Sequence, residues 1–320
     1  LLIADASGDG SADLIIGNRL GDGPTNGRVQ AGEAHVIFGP LQSGVIDLEQ
    51  TPANLTVLGA QANGQLGRGM AVADLAGDMS PELVLTASFA FSSNGNAGEG
   101  YILGGPLRDC FIQDDFDDGL LDPAWTLVGI GNANQESVVE EDGVLKLTAD
   151  GATAFFGSDN AGFLYRDVAG DFRMEVTIDG NPMTVGGMFR KAGLMVRASL
   201  DKDDIRLIHQ LAPFWQNQDS TRLQFVARTD FGLPGNTQVA SELVGVPRVV
   251  RLAIERVGQE LGVEYSLDNG ATWIRPTTGL GGSVTIPNLP PSLLVGLDMV
   301  SNDISVAATA HFDDFLICTP

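Results

Sequence analysis

The feature that most constrains this chain is an internal repeat in its first hundred residues. "GEAHVIFGP" (32–40) returns as "GEGYILGGP" (98–106), 66 positions on, and "ADASGDGSADLII" returns as "ADLAGDMSPELVL", 69 positions on, with Asp5 falling on Asp74. Two independent landmarks at nearly equal offsets define one structural unit used twice. Each unit reads as short strands between Gly/Asn/Asp loops, at 14–17, 33–38, 55–58, 69–73, 82–87 and 99–103. No segment carries a helical period.

The remaining two thirds also alternate with period 2. In "DFRMEVTIDG", Phe172, Met174, Val176 and Ile178 fall on one face and Arg173, Glu175 and Thr177 on the other, the pattern of a half-buried antiparallel strand. "EYSLDNGATW" places Asp-Asn-Gly between two strand-like runs, a tight hairpin signal. Many such strands indicate a two-sheet sandwich or jelly roll. The fold class is therefore all-β, and 320 residues at 43% hydrophobic content allow two domains with sizeable cores.

Charge narrows the partners. A formal net charge of −23 repels phosphate backbones and anionic lipid, which excludes nucleic acid and membrane surfaces and makes divalent cations the natural counter-charge. No apolar run approaches the roughly 20 residues of a membrane helix, so membrane insertion is not expected. The chain opens inside a strand-like run, "LLIAD", with neither initiator Met nor signal peptide, and reads as a processed or partial product. Its two cysteines, Cys110 and Cys318, bracket the second region. Paired, they close a loop of about 200 residues, worth up to roughly 5 kcal/mol in the chain-entropy description, and point to an oxidising compartment. Two free buried thiols are the alternative.

"DASGDGSADLII" (5–16) sets acidic and hydroxyl side chains at alternate positions around Gly10, which permits the backbone to curl. Calcium takes six to eight oxygens, and such a curl lets Asp5, Ser7, Asp9 and Asp13 supply side-chain oxygens and Ser11 a backbone carbonyl. An acidic turn without metal is the competing reading. The second copy keeps Asp74 and Asp78 and puts Glu82 at the last position, but Ala76 offers no oxygen and Met79 replaces Gly10, so weaker binding is expected there. The acidic clusters Asp114, Asp115, Asp117, Asp118 and Asp313, Asp314 could join into a third site across the terminal strands; solvated carboxylates are the preferred reading.

These residues carry two resemblances. "DASGDGSADLIIGN…AGEAHVIFG" and "LGRGMAVADLAGDMSPELVLTAS" resemble the FG-GAP repeats of integrin-type β-propellers over residues 1–107, which implies two four-stranded blades with calcium loops. Closed propellers have four to eight blades, so two alone leave strand edges and apolar faces bare. From 108 to 320, "DDFDDGLLDPAWTLVG", "KAGLMVRASLDKDD" and "VEYSLDNGATW" resemble a bacterial secreted module of the concanavalin A-like lectin/glucanase superfamily. That resemblance implies a jelly roll whose first and last strands are neighbours, and hence a Cys110–Cys318 disulfide.

A sugar site needs a flat aromatic ring with polar groups around it. The resemblance gives Trp125 and Trp273 structural positions, which leaves Trp215, with His209, Gln216 and Asn217, as the candidate ligand site. The paired acidic strand E-x-D-x-E of a glucanase is missing, as are G-x-S-x-G, H-E-x-x-H and phosphate loops. The sequence thus reads as a non-catalytic, calcium-stabilised, extracellular or cell-surface adhesion or structural protein, partnered by other subunits or copies of itself in a larger assembly or filament. The alternative is a carbohydrate-binding module of a secreted glycan-active protein.

Overall fold

In a computed structural model, the chain is described except at residues 8–10, 40, 42, 51, 76–80, 93–94, 105–106, 108–109, 152–157, 214–220, 231–236, 271, 278–280 and 320. Strands dominate the described residues, which include no α-helix and a single 3-10 turn at Pro24–Asn26. Among the described residues no helix is long and apolar enough to cross a membrane. The chain divides into two compact units, Leu1–Asp109 and Cys110–Pro320.

The first unit contains β1 (Leu2–Ala4), β2 (Asp13–Asn18), β3 (Glu33–Ile37), β4 (Leu55–Leu58), β5 (Leu66–Ala73), β6 (Glu82–Ala87), β7 (Phe91–Ser92), β8 (Gly95–Asn96) and β9 (Glu99–Leu103). One sheet runs β1-β2-β3-β4, a second β5-β6-β9, and β7-β8 form a small ribbon. Ile15, Ala34 and Val36 of the first sheet and Leu83 and Leu85 of the second are fully buried in one core. Glycine makes this close approach possible: Gly17 and Gly67 touch backbone to backbone, and a Cβ on Gly17 would lie 2.1 Å from the Gly67 carbonyl oxygen.

The second unit continues with β10 (Cys110–Asp114), β11 (Thr126–Ile130), β12 (Ser137–Glu141), β13 (Val144–Gly151), β14 (Ala161–Ala169), β15 (Phe172–Asp179), β16 (Lys191–Arg197) and β17 (Arg206–Ala212). It ends with β18 (Arg222–Arg228), β19 (Thr237–Val244), β20 (Val249–Val257), β21 (Glu260–Ser266), β22 (Ser283–Thr285), β23 (Ser292–Val300) and β24 (Asp303–Cys318). An eight-stranded sheet follows the path β12-β13-β24-β15-β20-β21-β22 with β10 also paired to β24, and a seven-stranded sheet runs β11-β14-β23-β16-β17-β18-β19. Their apolar faces share one core, with Phe172, Met174, Val176 and Ile178 from one sheet and Leu194, Leu207 and Leu297 from the other.

The half-buried reading of β15 needs correction. Its polar face is covered too, because Arg173 bonds Glu175 at 2.7 Å and Glu264 at 2.8 Å, and its guanidinium lies 4.5 Å from the centre of the Trp273 ring. Flat arginine over an aromatic face buries charge with its partners in place, which periodicity does not register. At the hairpin after β21, Asn269 and Gly270 adopt φ of 60° and 92°, the left-handed region that Asn-Gly turns need.

Candidate functional site

Of the first loop, Asp13 is fully buried and its carboxylate braces the turn: Oδ2 accepts the Ala6 and Ser7 amides and Oδ1 the Gly39 amide, each at 2.8 Å. Asp5 Oδ1 accepts the Ser7 hydroxyl at 3.4 Å. In the second copy Glu82 Oε2 accepts the Leu75 amide at 2.6 Å, the bond equivalent to Asp13 with Ala6. Ser11 and Asp74 are described, whereas Asp9 and Asp78 lie outside the described residues. Among the described residues no three His, Cys, Asp or Glu side chains gather as a metal cluster.

Of the sequence-derived sugar candidates, Trp215, Gln216 and Asn217 lie outside the described residues. His209 is placed in the core. Its cross-strand partners Leu194 and Phe225 belong to the inner face, its Nδ1 stands 3.3 Å from the Ala253 carbonyl oxygen of the opposite sheet, and burial pushes its pKa down to about 4. It supports packing, where a sugar contact was expected.

The structure does bring the two terminal acidic clusters together. Strand β10 pairs with β24 in the register Cys110↔Cys318 and Asp114↔Phe315, and Cys110 and Cys318 form a disulfide, so the two ends of the unit are clipped together. Beside that clip lies a trough of about 540 Å³. Gln113 and Asp114 come from β10, Asp314 and Leu316 from β24, and Asp115, Asp118, Leu120 and Asp122 from the segment between β10 and β11.

Its carboxylates are held from behind. Asp114 accepts the Phe116 amide at 3.1 Å and the Trp125 indole N–H at 3.3 Å, and Asp118 accepts the Leu120 amide at 2.8 Å. Asp122 takes the Ala124 amide at 2.8 Å and Arg166 Nη2 at 2.6 Å, contacts that hold its pKa below the ordinary value. Trp125 packs edge-on against Phe315 at 5.0 Å under the Arg166 guanidinium, so it positions Asp114 and offers no open ring face. Phe116 and Asp314 have φ of 53° and 50°, backbone that non-glycine residues adopt at a cost and that recurs at functional sites. Behind the carboxylates, Glu140 is 6% exposed; burial, then the Asp114 and Asp118 charges, push its pKa up. Burial also raises Asp313. The trough is a field of fixed acceptors with two apolar residues, Leu120 and Leu316, in its lining.

A second polar array lies on the outer face of the seven-stranded sheet and was missed by the sequence. In register, Asp298 (β23), Gly193 (β16), Gln210 (β17) and Gln224 (β18) form one row, and Gln210 Nε2 donates to Asp298 Oδ2 across the glycine. Asp298 Oδ1, Gln210 Oε1 and Gln224 Oε1 are buried without a hydrogen-bond partner among the described residues. Burial pushes Asp298 up to about 7, and it pushes Lys191 down to about 8 against the opposing pull of Asp298. Further along, Arg197, Arg206 and Arg228 stand side by side on three strands, fully buried around Asp159. Arg197 reaches Asp159 at 2.5 Å, Arg206 at 2.7 Å and Arg228 at 3.1 Å. Polar residues inside "LLVGLDMV" and "RLIHQLA" were the available signal. This array is sealed from solvent, whereas the trough is open.

No family model matches the sequence, and no curated protein sequence is similar to it. Among solved structures, the chain is similar to the GH43 protein BlXynB from Bacillus licheniformis, at 15% identity and TM-score 0.49, covering 98% of this chain and 63% of that one. It is also similar to xylan beta-1,4-xylosidase from Bacillus halodurans C-125, at 13% identity and TM-score 0.47, covering 97% and 63%. Lectin II from Ulex europaeus aligns at 10% identity and TM-score 0.41 over 65% of this chain and 98% of its own. The chain thus spans less than two thirds of the length of those glycosidases. The likeness is one of all-β build. It corrects one expectation, that of a chain without catalysis of its own: these neighbours include GH43 proteins and a xylan beta-1,4-xylosidase.

Proposed function

We propose that the second unit is a carbohydrate-recognition domain with a concanavalin A-like jelly roll, and that the trough beside the Cys110–Cys318 clip receives the saccharide. The observation that carries this is the open trough of about 540 Å³ lined by carboxylates already oriented by amides, an indole and an arginine. A neutral saccharide offers many hydroxyl donors, and preorganised carboxylates are strong acceptors for them. Leu120 and Leu316 supply apolar surface for the C–H face of a ring, and the volume lies within the range of small-ligand sites. The same charge turns away phosphate- or sulfate-bearing ligands.

In the same reading the protein works outside the cell, where its disulfide persists. Calcium held by Asp5, Ser7, Asp9, Ser11 and Asp13 steadies the first unit, and Asp74, Asp78 and Glu82 hold it less firmly.

Titration calorimetry with a panel of neutral oligosaccharides tests the proposal. At least one saccharide binds, and Asp118→Ala and Asp314→Ala each weaken it about tenfold or more while Trp215→Ala does not. Absence of binding across the panel overturns the proposal, and binding that both Asp variants leave intact and Trp215→Ala abolishes moves the site to the segment around Trp215.

A further inference from the structure

The two sheets of the first unit repeat one another in pairing register. Leu2↔Ile15 and Ile3↔Leu14 in the first become Ala71↔Val84 and Val72↔Leu83 in the second, each 69 residues later. Ile15↔Val36 and Ile16↔His35 become Val84↔Ile102 and Leu85↔Tyr101. Equivalent positions therefore lie on equivalent faces, because the side-chain period of a strand is two.

The sheets nevertheless bury opposite faces. The first covers the face of Ile15 and Val36; the second covers the face of Leu83 and Leu85. The unit's core is thus a contact between unlike faces of one repeated sheet. Each face also exists once more, half-buried but with one exposed isoleucine on it. The copy of the Ile15/Val36 face on the second sheet carries Val84 and Ile102, and Ile102 is 65% exposed. The copy of the Leu83/Leu85 face on the first sheet carries Leu14, Ile16 and Ile3, and Ile3 is 66% exposed.

We infer that these two open faces dock on each other between copies of this chain, reproducing head to tail the sheet-on-sheet contact inside the first unit. The occupant follows from the molecule itself, since the surface that already covers one face of this type is present a second time with Ile3 exposed on it. In the register of the internal contact, Ile102 takes the place of Val36 and Ile3 that of Val72. Because the faces are unlike, the contact is heterologous and builds rings or open chains instead of two-fold dimers. This inference is independent of the saccharide reading.

Sedimentation velocity on the full chain over a concentration series, in salt sufficient to screen the charge of −23, tests it. Wild type associates beyond a dimer. Ile102→Lys and Ile3→Lys, each placing an ammonium on one open face, weaken association at least about tenfold with unchanged circular dichroism. A mixture of the two variants forms a one-to-one dimer and goes no further, because each retains the face the other has lost. A wild type that stays monomeric, oligomers indifferent to both substitutions, or variants that fail to complement in the mixture overturns the inference.

Discussion

Asp159→Asn is the most informative single substitution for the second unit. Asp159 is fully buried and neutralises part of three fully buried guanidiniums, with contacts at 2.5, 2.7 and 3.1 Å. Burial opposes its ionisation, but the pull of Arg206, Arg197 and Arg228 outweighs that and holds its pKa below the ordinary value. Asparagine keeps the shape, removes the charge and turns one acceptor into a donor facing arginine N–H groups. Breaking a buried ion pair from one side costs about 3–5 kcal/mol, because the surviving charge stays uncompensated. For a unit of this size that lowers the melting temperature by about 6–20 °C. All three tryptophans, Trp125, Trp215 and Trp273, lie in this unit, so urea unfolding followed by indole fluorescence reads it selectively. The sign with pH is fixed as well. A depressed carboxylate pKa contributes stability above the unfolded value near 4 and loses it as pH falls through the folded value, so wild type and variant converge in acid. A loss under about 1 kcal/mol at neutral pH, or a difference that grows in acid, refutes the reasoning.

Other outcomes follow from the same structure. Replacing Cys110 and Cys318 together by alanine, across a separation of 208 residues, costs about 5 kcal/mol in the chain-entropy description and loosens the trough; unfolding with and without reductant measures it. The raised pKa of Asp298 means that its contribution is full below about pH 4 and is lost as pH rises through about 7, so Asp298→Asn flattens the stability profile between these values, read by melts from pH 4 to 8. If calcium occupies the first loop, EDTA lowers the melting of the first unit, followed by circular dichroism, and Asp9→Ala abolishes that sensitivity; a melt that EDTA leaves unmoved identifies an acidic turn.

Strand placement was legible because it depends on local alternation: the expected runs 82–87 and 99–103 coincide with β6 and β9, and 14–17 lies within β2. The repeat was legible too, and pairing register gives it physical meaning. Long-range consequences were hidden. Asp114 and Asp314 are two hundred positions apart, and only the pairing of β10 with β24 turns two solvated-looking clusters into the walls of one trough. The Asp298, Gln210 and Gln224 row was hidden for a similar reason, since a single polar residue inside an apolar strand becomes a site only when neighbouring strands align their own beside it. His209 misled because a polar neighbourhood in sequence alternates faces in a strand, leaving Gln210 buried on the other face of the sheet and His209 in the core between the sheets.

The central claim is that the trough takes a saccharide, and a backbone amide NMR titration of isotope-labelled protein with the best-binding neutral oligosaccharide tests it most directly. Saturable shifts that cluster at Asp114, Asp118, Leu120, Asp122 and Asp314 are the predicted result. Saturable shifts that leave these amides still and gather elsewhere, or no shifts with any saccharide, contradict it.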